Sequence, residues 1–315
     1  MLGLCGDTVN VAGGTWVRMT IDALAHWLSE GPRVLDGATG SELLRRGVSA
    51  AGRLWGVGAL LEDPDAVRRL HRDYAAAGAD ALTAATFRVA PYSLRRAGLE
   101  GRTAELASLA VRLAREGARE AGREALVLAS QTTLEDCYRP DLVPDDETLR
   151  REHSATAAAL AAAGPDALLL ETFNTVREAR IAVEAATATG LPVMASFACI
   201  SGGRILSGES AADAAEAATL PGVVAAGANC TAVGEVLPVL TAMAAATSLP
   251  LVAYANNAWF EDDSKWLNAA PVAPDRYGFC ALAWVSVGAR MVGGCCGTGP
   301  EHIAALASQL QRRRS

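Results

Sequence analysis

The chain has 315 residues, 51% of them hydrophobic, and a formal net charge of −7. That length holds one large α/β domain or two small ones around a sizeable core. It carries no Lys/Arg run beyond the Arg312–Arg314 tail and no run of about 18 uninterrupted apolar residues, so neither nucleic acid nor a membrane is an expected partner. Seven cysteines without a signal peptide point to reduced thiols and a cytoplasmic protein.

In chain order, Met1–Val17 is Gly-rich and without periodicity. Residues 1–18 therefore read as a disordered or cloning-derived leader, and 19–315 as the folded domain. Asp22–Leu28 predicts a leading helix, and Arg33–Gly37 a first strand that ends on the acid Asp36. Pro64–Ala77 predicts a helix with Pro64 in its first turn and Gly78 at its end. Ala79–Ala84 is a second strand, closing on Thr86. A helix over Gly101–Ala121 leads to a third strand, Ala125–Ala129, and then to the long loop Ser130–Asp145 with its two prolines. After the helix Asp146–Ala163, the fourth strand Asp166–Leu170 ends on Glu171. Strands Pro192–Ala198, Val223–Ala228, Pro250–Tyr254 and Ala289–Val292 then alternate with helices Thr175–Thr189, Ser210–Thr219, Gly234–Ala246 and Pro274–Val287, and Pro300–Gln311 is the last helix.

Eight strand–helix units predict an α/β protein made of a single (β/α)8 TIM barrel. An open doubly wound sheet is disfavoured because no Gly-x-Gly-x-x-Gly turn follows the first strand. Asp36, Thr86, Asn229, Glu171 and three cysteines all fall at the C-terminal ends of predicted strands, the face on which barrel active sites are built.

The most specific pattern is Gly293-Gly-Cys-Cys-Gly297. Adjacent cysteines do not readily bridge each other, so the pair reads either as two buried thiols or as two ligands of one soft metal ion. Cys230, which follows the apolar run Val223–Ala228, is the candidate third ligand. Cys295, Cys296 and Cys230 would leave one position open on a tetrahedral zinc ion, as in a catalytic site. Cys5, Cys137, Cys199 and Cys280 read as bystanders, and the four histidines all fall on helical segments. Asp36 reads either as a cap for the helix-like Ser41–Arg46 or as an anion facing an ammonium group. Glu171 closes a buried strand and needs a cation or donors there. Asp36 and Glu171 together could clamp an α-amino group, and Thr86 with backbone N–H groups an α-carboxylate; such a pocket suits an amino acid that carries a thiol.

Leu35-Asp-Gly-Ala-Thr-Gly40, Leu54-Trp55, His71-Arg-Asp-Tyr-Ala-Ala-Ala-Gly-Ala-Asp80, Glu171-Thr172, Gly227-Ala-Asn-Cys230 and Gly293-Gly-Cys-Cys-Gly297 resemble the homocysteine S-methyltransferase family, from about Arg33 to about Ala307. The resemblance implies a zinc-binding (β/α)8 barrel with one Zn2+ per chain on Cys230, Cys295 and Cys296. It implies homocysteine bound by Asp36, Thr86 and Glu171, with Gly37 and Asn229 lining the same pocket. The implied reaction moves a methyl group from a methyl-onium donor, S-methylmethionine, to the homocysteine thiolate, giving methionine. The implied partners are small molecules, and an oligomer stays possible. The chain departs from family pattern at Ser130-Gln-Thr-Thr-Leu-Glu-Asp-Cys-Tyr138, at Tyr254-Ala-Asn-Asn-Ala-Trp259 and at Arg88, all on the donor side. Betaine as donor, and another thiol or a selenol as acceptor, therefore stay as alternatives. A hydrolase or aldolase would want a histidine or lysine at a strand end, and the one lysine, Lys265, falls in a predicted loop. A non-catalytic zinc- or thiol-binding barrel is the reading from another class.

Overall fold

Eight segments pair side by side in parallel register: β1 (Arg33–Val34), β2 (Ala81–Ala84), β3 (Leu126–Gln131), β4 (Ala167–Phe173), β5 (Val193–Ile200), β6 (Val223–Ala232), β7 (Leu251–Asn256) and β8 (Ala289–Gly294). The computed structural model describes residues 8–11, 14–17, 19–48, 54–257, 259–262, 265–267 and 271–314. Each strand's neighbours in the sheet are its neighbours in sequence. The ring closes between β1 and β2, where Leu35 bridges Ala81, the Asp36 N–H donates to Ala81 O at 3.1 Å, and the Asp80 N–H donates to Val34 O at 2.7 Å. The Asp80 carboxylate reinforces this seam by accepting the Val34 N–H at 2.9 Å. The expected (β/α)8 barrel is the observed fold.

The connecting helices are α1 (Ile21–Ser29), α2 (Pro64–Ala76), α3 (Thr103–Glu120), α4 (Asp146–Ala162), α5 (Val176–Thr187), α6 (Ala211–Ala218), α7 (Val233–Ala244), α8 (Pro274–Ser286) and α9 (Pro300–Arg314). Their starts follow local chemistry. Asp63, Asp145 and Thr175 cap α2, α4 and α5 by accepting the N–H of Ala66, Thr148 and Glu178. Short helices at Val57–Glu62 and Pro91–Arg96 were not expected, while Gly40–Arg45 matches the helix-like Ser41–Arg46.

Strand parity sorts the core into two layers. Leu126 and Leu128 of β3, Ala167 and Leu169 of β4, Val252 of β7 and Met291 of β8 fill the barrel interior. Val127, Ala129, Leu168, Leu170, Ala253 and Val292 point outward into the layer between sheet and helices. Leu24, Trp27 and Leu28 of α1 pack into the same inner cluster, so this leading helix seals the N-terminal end of the barrel.

Strands β3 to β8 run two to four residues further than the sequence pattern predicts. The added residues include Ser130, Gln131, Glu171 and Asn229, all buried. Their polarity reads as loop in a sequence, yet each continues the ladder into a polar layer above the apolar interior. The leader expected over residues 1–18 falls largely outside the described residues; within it, Thr8–Val11 pairs antiparallel with Gly14–Val17. Lys265, expected in a loop, begins a short strand, Lys265–Leu267, paired antiparallel with Trp259–Asp262. Among the described residues no helix is long and apolar enough to cross a membrane.

Candidate functional site

The parity that buries Leu128, Leu169 and Val252 also turns Ser130, Glu171 and Tyr254 inward at the C-terminal end of the barrel. Ser196 on β5 and Asn229 on β6 join them, both with no exposed surface. These groups form a continuous network. The Ser130 hydroxyl donates to Glu171 Oε1. Tyr254 O–H, which faces the same carboxylate, hydrogen-bonds Ser196 Oγ at 2.6 Å. Ser196 in turn donates to Asn229 Oδ1 at 2.9 Å. Asn229 Oδ1 also accepts the Thr172 N–H at 2.8 Å, while Asn229 Nδ2 donates to Thr172 Oγ1 at 2.7 Å. Asn229 thus clamps Thr172, which has φ 63°, just after Glu171. Cys230, next to Asn229, has φ 46°. Among the described residues these are the two non-glycine positions in the left-handed region, and both adjoin candidate site residues, where strain of this kind tends to concentrate.

The three cysteines converge as the sequence predicts. Cys230 Sγ lies 2.9 Å from Cys295 Sγ and 4.0 Å from Cys296 Sγ, and all three fall within 4.8 Å of one another. Metal–sulfur bonds of about 2.3 Å in a tetrahedron put neighbouring sulfurs about 3.8 Å apart, so the donor set fits one soft cation with small side-chain adjustments. Without a cation the thiols are held well above their ordinary range, Cys230 by its hydrogen bond with Cys295 and Cys296 by its hydrogen bond with Cys230, with burial adding to both. Three converging sulfurs that resist ionisation by themselves are what a bound cation would relieve. The turn that carries two of them is pinned on every side. Cys295 N–H donates to Ala255 O, Cys296 N–H to Asn256 Oδ1, and Gly297 N–H to Ser41 Oγ, at 2.9, 3.1 and 2.9 Å. Gly293 is required for close approach: a Cβ there would sit 2.7 Å from Leu35 Cβ and 2.8 Å from Asp36 O.

Asp36 is buried beside this turn. Its two carboxylate oxygens accept the N–H and hydroxyl of Thr83 at 2.8 and 3.0 Å. Burial pushes its carboxyl well above the usual range, against those two bonds. Burial likewise pushes Glu171 up to about 7, opposed by Ser130 and Tyr254. Among the described residues neither buried acid has an ion-pair partner, and a substrate ammonium group would supply a cation. Gly37 keeps the wall thin next to Asp36, since a Cβ would meet the Tyr74 ring at 2.7 Å.

Asp36, Gly37, Glu171 and the three cysteines line one cavity of about 650 Å3, within the range of roughly 300–1,000 Å3 usual for ligand pockets. Thr86 and Asn229 stand behind its wall. The Thr86 hydroxyl donates to Ser130 O at 2.8 Å and its N–H to Ala84 O at 2.6 Å, so both of its donors are engaged. Sequence reasoning missed Thr83, Ser196 and Tyr254, which share the inward parity of strands it predicted, and Ser130, which lies just past the third of them. It also set Cys137 aside, whereas the structure places this buried thiol on the cavity wall. Cys199 and Cys280 do stay apart, on β5 and α8, and Cys5 lies outside the described residues. His26, His71, His153 and His302 all sit on helices, outside the cysteine cluster.

Arg88 Nη1 donates to the carbonyls of Thr133 and Glu135 at 2.9 and 2.8 Å, which ties the loop after β3 over the cavity.

Comparison with known proteins gives a consistent family. The homocysteine S-methyltransferase family matches residues 33–310. The homocysteine S-methyltransferase YbgG of Bacillus subtilis is 31% identical over 87% of this chain and 93% of its own length. A selenocysteine Se-methyltransferase of Brassica oleracea is 27% identical over 90% of each chain. Among solved structures, the metallated form of the homocysteine methyltransferase MmuM of Escherichia coli superposes with a TM-score of 0.78 at 30% identity, covering 91% of this chain and 99% of that one.

Proposed function

We propose that this chain, which belongs to the homocysteine S-methyltransferase family, transfers a methyl group from S-methylmethionine to the thiolate of homocysteine, with one zinc ion per chain on Cys230, Cys295 and Cys296. The observation that carries the reading is the convergence of three thiols in a cavity walled by two buried carboxylates. Zinc, when bound there, supplies a fourth position for a substrate sulfur and holds it as a thiolate near neutral pH.

The chain's own groups do the rest. Asp36 and Glu171 receive the substrate ammonium group. Thr83 holds the Asp36 carboxylate, whose oxygens keep further lone pairs for the substrate. Ser130 and Tyr254 hold Glu171. Thr86 acts through Ser130, and Asn229 through Thr172, so both are positioning residues. With the sulfur fixed at the floor, the donor enters from the open side. The homocysteine sulfur forms a bond to the methyl carbon as the bond from that carbon to the donor sulfonium breaks. The electron pair leaves with the donor sulfur, and two molecules of methionine result. No protein base is required in the displacement. What the enclosing barrel contributes is orientation and exclusion of water. Residues 19–315 make up this unit in our reading.

The test is metal content together with methyl transfer to homocysteine, with S-methylmethionine, S-adenosylmethionine and betaine offered in parallel. One zinc per chain and turnover with S-methylmethionine are expected, and Cys296→Ala should lose both. Metal-free reduced protein that turns over at full rate would overturn the assignment. A selenol acceptor is the second reading, favoured by the similarity to a selenocysteine Se-methyltransferase; competition between selenocysteine and homocysteine for one donor decides it.

A further inference from the structure

The outer half of the cavity is lined by residues that the acceptor side leaves unused. Trp55, Phe87 and Tyr138 bring aromatic surface, and Arg88, Arg96, Glu135 and Asp136 bring charge. Three of these four charged groups are engaged. Arg88 is bound to two backbone carbonyls. Arg96 grips the Glu135 carboxylate with both oxygens at 2.6 Å, and Tyr92 O–H donates to the same group at 2.5 Å. Asp136 differs. Its Oδ1 accepts the Tyr138 N–H at 2.9 Å, and among the described residues it forms no ion pair. The neighbouring Arg139 pairs with Asp141 instead, at 2.6 Å. Asp136 is exposed at the mouth of the cavity.

Tyr138 links that mouth to the floor. It is 41% exposed. It lines the same cavity as Cys230, Cys295 and Cys296. A methyl donor that enters this cavity to meet a sulfur shares it with the Tyr138 ring. Both residues belong to the loop Ser130–Asp145 that departs from the family pattern.

We propose that Asp136 and Tyr138 select the methyl donor by charge: the positive onium centre lies against the Tyr138 ring with the Asp136 carboxylate as its counter-charge, and uncharged methyl compounds are disfavoured. This rests on the donor side of the reading above. An aromatic face attracts a cation through its quadrupole, and quaternary centres, which cannot donate hydrogen bonds, depend on such faces. A carboxylate that forms no ion pair among the described residues adds the complementary charge.

Binding of two inert probes separates this proposal from the methyl-transfer assignment. One is the quaternary-ammonium analogue of S-methylmethionine, and the other its uncharged tert-butyl isostere, each titrated calorimetrically into the zinc-loaded protein. The wild type is expected to prefer the charged probe by about tenfold or more. Asp136→Asn and Tyr138→Leu should each cut that preference by about fivefold, while Tyr138→Phe keeps it. Homocysteine affinity and zinc content should stay unchanged in all three. Equal binding of both probes by the wild type, or an unaltered preference in both Asp136→Asn and Tyr138→Leu, would overturn the proposal. A retained preference without turnover of any onium donor would uphold the subsite and sink the methyl-transfer reading instead. Asp136 is a surface residue, so its variant stays informative even where Tyr138→Leu folds poorly.

Discussion

Glu171 shows at the scale of one residue how function opposes stability. Burial raises its carboxyl from 4.5 to about 7. Between those values the folded protein holds a proton that the unfolded chain has released, so stability associated with this group is present at low pH and is lost as pH rises through 7. Glu171→Gln keeps an acceptor for Ser130 and removes the buried charge. The variant should gain up to about 3 kcal/mol at pH 8 and almost nothing at pH 4.5. Its KM for homocysteine should rise about 10- to 100-fold, since the ammonium loses a charged partner. Thermal melts at both pH values, with steady-state kinetics, check the pair of outcomes; unchanged KM would remove Glu171 from the ammonium clamp. The sequence showed Glu171 as a carboxylate that ends an apolar run. It did not show Ser130 and Tyr254 closing on it from two other strands, because that meeting depends on the inward parity of β3 and β7.

Among the elements, the strand ends and the helix contacts behave differently. Two register shifts fall at the C-terminal rim, between Leu170 and Phe173 and between Tyr254 and Asn256, and two at strand starts, between Val193 and Met194 and between Leu251 and Val252. Such irregularities re-aim side chains, at the rim next to Glu171 and the cysteines. The sequence pattern stopped the strands short of this rim because hydrophobic periodicity ends where the polar layer starts. The contact of α2 with α3 carries a cost of its own. Gly117 of α3 lets the helices approach so closely that a Cβ there would lie 2.7 Å from Arg68 O and 2.9 Å from His71 Cβ. His71 is sealed in this contact, neither ring nitrogen has a hydrogen-bond partner among the described residues, and burial pushes it down from 6.5 to about 4. The unfolded chain binds a proton at His71 below about 6.5 and the folded protein does not until about 4, so stability is lost as pH falls through that window. His71→Leu should abolish this loss, on the order of 3 kcal/mol between pH 7 and pH 4. Urea unfolding midpoints at several pH values report it; an equally steep acid limb in the variant would place the sensitivity elsewhere.

For the whole molecule, the site exists because the barrel closes. β1 has two residues, and its seam with β2 is one bridge reinforced by the Asp80 carboxylate on the Val34 N–H. Asp80→Ala should destabilise the protein by about 1–2 kcal/mol. It should also speed amide exchange at Val34 and Leu35, and lower zinc occupancy because Asp36, which donates across this seam to Ala81 O, accepts the Gly294 N–H beside the cysteines on its other side. Protected amides in the variant would show that the seam is held by other contacts.

The amino-acid sequence by itself determined the order of the eight barrel strands and of the helices that alternate with them, since apolar runs and caps are local features. It also determined which residue types end those strands, which was enough to place Asp36, Glu171, Cys230, Cys295 and Cys296 on one face. The tertiary structure decided what distance and direction add. β7 stands between β6 and β8, so only closure shows that Cys230 reaches Cys295 and Cys296. Thr86 and Asn229 lie at the same strand ends, yet their hydrogen bonds put them behind the wall. Asp136, Cys137 and Tyr138 reach the cavity through the path of the loop after β3, which Arg88 ties down from the loop after β2. Loop paths follow contacts between segments far apart in the chain, for which periodicity holds no information.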